Sequence, residues 1–320
     1  MELPEDLAER LLIHRDAALG PRTTLGVGGP APFIIEPRRR EELLEAVATL
    51  QRAGWPFRVL GHGSNLVVSD AGVPEVVLHT RLMQGIWHHG EREHALRVEC
   101  GAPLTRLVGV AQRQGLAGVE GLIGIPGTLG GAVAGNAGGR HGCIADVITA
   151  VTVVDADGRA RELELSADDF GYRCSPFKAG PGRTAAWQGA AILDAVLQLR
   201  PDTPEAIHAR MAGVLKDKRA SQPLAARSAG CMFRNDAEAP AARLIDEAGC
   251  KGLAVGEAEV STLHANFILN RGGATARDVT ALIERVRARV HERTGARLQL
   301  EVECWGPPPE SAEGGQGGAG

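Results

Sequence analysis

The stretch from Gly121 to Gly139, GLIGIPGTLGGAVAGNAGG, places eight glycines among nineteen residues without one charge. Glycine has no Cβ, so its amide can lie against a phosphate or a flat ring, but it loses more conformational entropy on folding than any other residue. So dense a run needs a ligand or close backbone contact to offset that loss. A mobile linker would carry Ser and charge and lack buried aliphatics, whereas Leu122, Ile123, Ile125, Leu129 and Val133 are interleaved here. A membrane span is excluded too, because eight glycines with Pro126 and Asn136 leave too little apolar surface.

The chain of 320 residues is long enough for two or three domains and a substantial core. Its net charge of -4 leaves no basic footprint, which argues against nucleic acid as a partner. Arg38, Arg39 and Arg40 are followed by Glu41 and Glu42 and read as a solvated helix start. Six cysteines lie far apart, with no CxxC and no Cys/His pair at zinc spacing, so no metal site is expected. His88 and His89, adjacent on a strand, would point to opposite faces and are read as surface residues. The start, MELPEDLAERLL, carries acids and no apolar core of signal-peptide length. The expectation is a soluble, cytoplasmic, monomeric protein with reduced thiols.

Apolar spacing predicts helices over 41–54, 103–114 and 275–294, with a charged helix running to about Ser221 and another over 241–248. Strands are expected at 57–60, 66–68, 75–79, 95–99, 147–154, 161–165, 191–199, 231–233, 265–269 and 298–304. Composition shifts at Arg200-Pro201-Asp202-Thr203-Pro204, a candidate boundary. The glycine-rich end, 307–320, has almost nothing to bury and reads as a disordered tail.

No Gly-Lys pair occurs, which excludes a phosphate-loop NTPase. Gly26 to Ala31 fits a loose dinucleotide pattern, but Pro30, Pro32 and the strand-like Phe33-Ile34-Ile35 forbid the helix that pattern must open. Gly61-His62-Gly63-Ser64-Asn65, between two strands, can form a nest of amides for a pyrophosphate. With the second glycine surface about sixty residues on, it suggests a large dinucleotide held between two small domains.

These pieces, with Thr23 to Ala31, Gly171-Tyr172-Arg173-Cys174-Ser175-Pro176-Phe177-Lys178, Ser228 to Asn235, His264-Ala265-Asn266-Phe267 and Glu301-Val302, occur in the order and spacing of a known family. The chain resembles the bacterial UDP-N-acetylenolpyruvoylglucosamine reductases, flavoenzymes of peptidoglycan synthesis, over nearly all of its length before the tail. The resemblance implies an α+β fold: an FAD-binding fold of the vanillyl-alcohol-oxidase (PCMH) type in two subdomains, 1–80 and 81–203, and an α+β substrate-binding domain, 204–306. It implies non-covalent FAD, with NADPH as hydride donor and UDP-N-acetylglucosamine enolpyruvate as substrate. Gly61, His62, Gly63, Ser64, Asn65 and Leu66 would hold the pyrophosphate. Gly124, Pro126, Gly127, Thr128, Gly131, Asn136, Ala137 and Gly138 would line the flavin.

Hydride addition to the enol ether leaves negative charge that spreads into the substrate carboxylate, so the site needs fixed donors there and an acid for the neighbouring carbon. By resemblance Arg173 is the carboxylate clamp, and Tyr172, Arg219 and Asn235 face the substrate. Glu301 takes the catalytic carboxyl role over Glu303, which strand alternation would put on the same face. Cys231 stands where many members have a proton-donating serine, and a thiol, with a pKa of about 8.5, is the stronger acid. Tyr172 is the only tyrosine, so the tyrosine that some members carry on an inserted loop is missing, as expected of a shorter-loop branch. The rival readings are another FAD oxidoreductase of the same fold and an inactive flavin-binding relative.

Overall fold

The computed structural model describes residues 10–155, 157–180, 183–235 and 239–308; most of the expected tail lies outside them. Contacts divide the chain into two units. The first takes in residues up to Asp16, Pro32–Ser64 and Glu75–Leu224, and the second Ala17–Ala31, Asn65–Pro74 and the residues from Ala225 onward.

Two sheets build the first unit. One runs β1 (Leu12–Ala18), β2 (Pro30–Glu36), β5 (Val76–His79) and β3 (Phe57–Leu60), with β2 and β3 both parallel to β5. Parallel strands are covered on both faces, which is why β5 reads Val-Val-Leu-His and is buried throughout. The crossover α1 (Arg40–Arg52) turns Leu43, Ala46, Val47 and Leu50 inward at three- and four-residue spacing. The other sheet is antiparallel, in the order β12 (Ala160–Glu164), β11 (Ile148–Val154), β13 (Ala191–Gln198), β7 (Ala95–Glu99) and β6 (Ile86–His88). Asp194 is buried on its central strand and answered there by Arg40, Arg97 and Thr152. These two sheets fall on either side of residue 80. The unit also holds α2 (Leu104–Arg113), α3 (Leu129–Ala134) and α4 (Pro204–Ser221), with the small ladders β8 (Leu116–Ala117) with β14 (Arg200–Pro201) and β9 (Gly138–Gly139) with β10 (Gly142–Cys143).

The second unit carries a sheet in the order β15 (Ser228–Cys231), β18 (Phe267–Asn270), β17 (Ala258–Val260) and β16 (Ala254–Val255). A separate parallel pair joins β4 (Leu66–Val68) to β19 (Glu303–Trp305). Helices α5 (Ala241–Glu247) and α6 (Ala276–Thr294) complete it. Thr275 and Asp278 close a reciprocal cap on α6, and the Asp70 carboxylate accepts the N–H groups of Ala276 and Arg277 at 2.8 and 2.9 Å. Leu25, Val27 and Val67 share a core with Phe233, Val279, Leu282, Ile283 and Val302.

The strand expected over 231–233 is Ser228–Cys231 instead, ending where that reading began it, and two further features differ from the sequence expectation. Helix α4, placed after the boundary at 204, belongs to the first unit, where Arg210 pairs with Glu120 and Lys218 reaches the carbonyls of Gly121 and Ile123. The strand expected over 298–304 is only Glu303–Trp305, because the chain changes partners on the way. Arg234 N–H donates to Gln299 and Glu301 N–H to Met232, and only then does pairing with β4 begin.

Candidate active site

In the first unit, β3 runs into the turn at Gly61–Ser64, which faces the segment Gly127–Thr128. A Cβ on Gly61 would strike the Thr128 hydroxyl, and one on Gly127 would come within 3.2 Å of Ser64 Oγ. Two turns far apart in sequence thus form one cradle that larger residues would fill. Thr128 is 2 % exposed, and its Oγ1 has no hydrogen-bond partner among the described residues. A buried hydroxyl without a partner is costly, about 1–3 kcal/mol, and calls for a ligand that satisfies it. These residues therefore fit a pyrophosphate oxygen of FAD. Gly63 is buried at the bend and His62 is exposed beside it.

Further along the glycine-rich stretch, Gly124 packs towards Lys218 and Leu215 of α4, Pro126 and Gly131 are exposed, and Ala137 is half-buried. Asn136 and Arg173 both have left-handed backbone, φ 42° and 55°. Side chains rarely accept that conformation, and it concentrates at functional sites. The two are joined: Asn136 Nδ2 donates to the Gly171 carbonyl at 2.9 Å, and Arg173 Nη1 reaches the carbonyls of Asn136 and Gly138 at 3.4 Å each. Ser175 Oγ donates to Ala134 at 2.7 Å, so the whole Gly-Tyr-Arg-Cys-Ser turn is docked on the end of the glycine-rich run. Tyr172 is half-exposed, with the Arg173 guanidinium 5.7 Å from its ring centroid.

Arg219 is exposed near the end of α4, while Lys218 beside it turns inward. Its ammonium donates to Gly121 and Ile123 at 3.2 and 2.5 Å; burial, then the nearby Arg140 charge, pull its pKa down to about 8.

In the second unit Cys231 ends β15, a half-buried thiol outside any disulfide. The pairing of β15 with β18 slips between Ser228 and Cys231, where Gly230 takes φ 74°. This is a bulge, a device that re-aims a side chain and occurs often beside active sites. Nothing would obstruct a Cβ at Gly230, so the backbone conformation alone calls for glycine. Asn235 follows, exposed. Glu301 does not lie on the last strand, so the alternation that placed it with Glu303 does not apply. It sits where the chain changes partners: its N–H donates to Met232 at 2.9 Å and its carbonyl accepts Asn65 Nδ2 at 3.3 Å. Glu301 is thus bonded to Asn65 and to the residue that follows Cys231, and Leu66 opens the strand that pairs with Glu303.

The matches to known proteins follow the same plan. Residues 31–164 match the family model described as FAD binding domain, and 222–305 the model for the UDP-N-acetylenolpyruvoylglucosamine reductase C-terminal domain. The reductase of Moorella thermoacetica is 40 % identical over 297 residues, covering 93 % of this chain and 94 % of that protein. The chain belongs to the UDP-N-acetylenolpyruvoylglucosamine reductase family. The reductase of Anaeromyxobacter dehalogenans strain 2CP-C is 42 % identical over 300 residues, 93 % of this chain and 88 % of its own. The crystal structure of the Thermus caldophilus UDP-N-acetylenolpyruvylglucosamine reductase superposes with a TM-score of 0.76 at 40 % identity, over 92 % of this chain and all of that one. This family member therefore has the expected α+β architecture with an FAD-binding domain of PCMH type. Among the described residues, no three His, Cys, Asp or Glu side chains are grouped to hold a metal, and no helix is long and apolar enough to cross a membrane.

Three features around these residues have no role in the expectation from sequence: Lys218, Ser175 and the bulge at Gly230. Ser175 lies within the Gly171–Lys178 motif, and the glycine before the candidate donor is a signal for the bulge. Lys218 carried none, since its partners are 95 and 97 positions away.

Proposed function

We propose that this reductase converts UDP-N-acetylglucosamine enolpyruvate to UDP-N-acetylmuramate for peptidoglycan synthesis, with Arg173, Cys231 and Glu301 as its catalytic residues. FAD, when bound, supplies the hydride, which it takes from NADPH. The protein's own task is position and charge. The Gly61–Leu66 turn and Thr128 hold the diphosphate, and the run from Gly124 to Gly138 lines the flavin. Arg173 presents a planar fork to the substrate carboxylate, where the charge created by hydride addition collects. Cys231 gives a proton to the carbon beside the one that takes the hydride, and Glu301, hydrogen-bonded to the same segment, completes the set. Tyr172, Arg219 and Asn235 contact the nucleotide sugar. With no tyrosine besides Tyr172, the chain falls in the shorter-loop branch. The reading includes a monomer in the bacterial cytoplasm, where NADPH and nucleotide sugars are found.

The observation that carries this assignment is the left-handed Arg173, anchored on the carbonyls that end the flavin-lining run. Purified protein should be yellow, or become so with added FAD, and should oxidise NADPH under anaerobic conditions only when the enolpyruvyl nucleotide sugar is present. Colourless protein that cannot be reconstituted, or oxidation indifferent to that substrate, would sink the proposal. Cys231→Ala should lose substrate reduction, and Cys231→Ser should recover part of it.

A further inference from the structure

The backbone that carries Cys231 leaves the β-ladder immediately after that residue. Cys231 is the last partner of Phe267 on β18. Beyond it, the side chain of Asn266 takes the place of a strand. Phe233 N–H donates to Asn266 Oδ1 at 2.9 Å, and Asn266 Nδ2 donates to the Phe233 carbonyl at 2.8 Å. One carboxamide thus satisfies both main-chain groups of one residue, as an antiparallel neighbour would. The intervening Met232 N–H donates to the Asn266 carbonyl at 2.8 Å.

Asn266 is 1 % exposed and is itself fixed. Its N–H donates to His264 Nδ1 at 3.3 Å, and the His264 ring stands edge-on to Phe267 with centroids 4.8 Å apart. From the opposite side, the Met232 carbonyl accepts the N–H of Glu301 at 2.9 Å and that of Val302 at 3.4 Å. The residue after the candidate proton donor is therefore clamped on both sides, and its second clamp is the candidate carboxyl residue.

We infer that Asn266 is a positioning residue for the proton transfer: it holds the Cys231–Phe233 backbone where the sheet no longer can, and so sets the thiol's place relative to Glu301. The inference rests on the reading of Cys231 as the donor. A fold needs only that buried backbone groups be paired, which a continued strand would achieve. Here the ladder ends after a bulge, and Asn266 holds both residues that follow Cys231, Phe233 through its side chain and Met232 through its main-chain carbonyl. A displacement near 1 Å at a reacting group can cost about 100-fold in rate.

The test uses the full-length protein with FAD and follows the two half-reactions separately by stopped flow. In Asn266→Ala and in Asn266→Asp, which keeps the shape and the acceptor but replaces the donor, FAD affinity and flavin reduction by NADPH should stay within about twofold of wild type. Reoxidation of the reduced enzyme by the enolpyruvyl nucleotide sugar should slow by about 100-fold. In a Cys231→Ala background, Asn266→Ala should slow it less than about threefold further, because groups that act through one another are not additive. Full multiplication of the two losses would overturn the inference, as would wild-type reoxidation in both Asn266 variants or a parallel loss of FAD affinity and both half-reactions. A slow Cys231→Ala beside silent Asn266 variants sinks the positioning role alone. Wild-type reoxidation in Cys231→Ala sinks the donor assignment, and the positioning role with it.

Discussion

Thr128 shows how one atom can report a ligand. Its hydroxyl is buried between two glycine turns, with no hydrogen-bond partner among the described residues. Removing an unsatisfied buried group should leave the ligand-free protein as stable or more so, while a group that meets a phosphate loses a contact when removed. Thr128→Val is therefore expected to hold or raise the melting temperature of the apoprotein and to weaken FAD binding by roughly 5- to 10-fold, the effect of about 1 kcal/mol. Calorimetry on the apoprotein and fluorescence titration with FAD check both halves. Unchanged FAD affinity would remove Thr128 from the site. Arg173 makes a related case through its backbone: a left-handed arginine is unfavourable unless its surroundings enforce it, and the reciprocal main-chain bonds between Gly171 and Cys174 close the turn that holds it.

Elements with a strong local signal were readable in the chain, and those defined by distant partners were not. Helix α1, strand β3 and strand β7 match their apolar spacing closely, since period 3.6 and period 2 are written within each segment. The two glycine turns were readable for the same reason. Strand β19 was not, because where it starts depends on when the chain exchanges Met232 for β4. Asn266 stands out only as part of the His264–Phe267 motif, and its role was not readable, because its partner Phe233 lies 33 positions away. Helix α4 illustrates the same limit, and its Lys218 makes it a brace for the glycine-rich run. Lys218→Met should release the carbonyls of Gly121 and Ile123, two charge-assisted bonds worth together about 2–3 kcal/mol, and speed amide exchange in 121–125. Exchange at the wild-type rate would show that the brace carries no load.

For the whole molecule, one buried carboxylate should make a separable contribution to acid sensitivity. Glu36, at the end of β2, is fully buried against Arg81 and His79 at 2.9–3.0 Å. Burial by itself would raise its pKa, but hydrogen bonds from Arg81 and His79 outweigh this and hold it at about 2. A carboxyl group depressed in the folded state stabilises fully above its unfolded pKa, near 4.3, and loses that contribution as pH falls through the folded value. Discounted for the half-exposed Arg81, the contribution is about 2 kcal/mol, lost between roughly pH 5 and pH 2. Urea denaturation across that range should show a shallower pH slope for Glu36→Gln than for wild type, and parallel slopes would place the acid sensitivity elsewhere.

The ladder between β4 and β19 also has a consequence during synthesis. Leu66–Val68 leaves the ribosome about 235 residues ahead of Glu303–Trp305, an interval of about 10–50 s at ordinary bacterial elongation rates. Through that interval the apolar Leu-Val-Val segment lacks its β19 partner, and of its own unit only 17–31 and its immediate neighbours are made before residue 225. A strand made early thus waits for one made much later, and a nascent chain stalled before residue 303 should be a ready client for chaperones that bind short extended apolar segments.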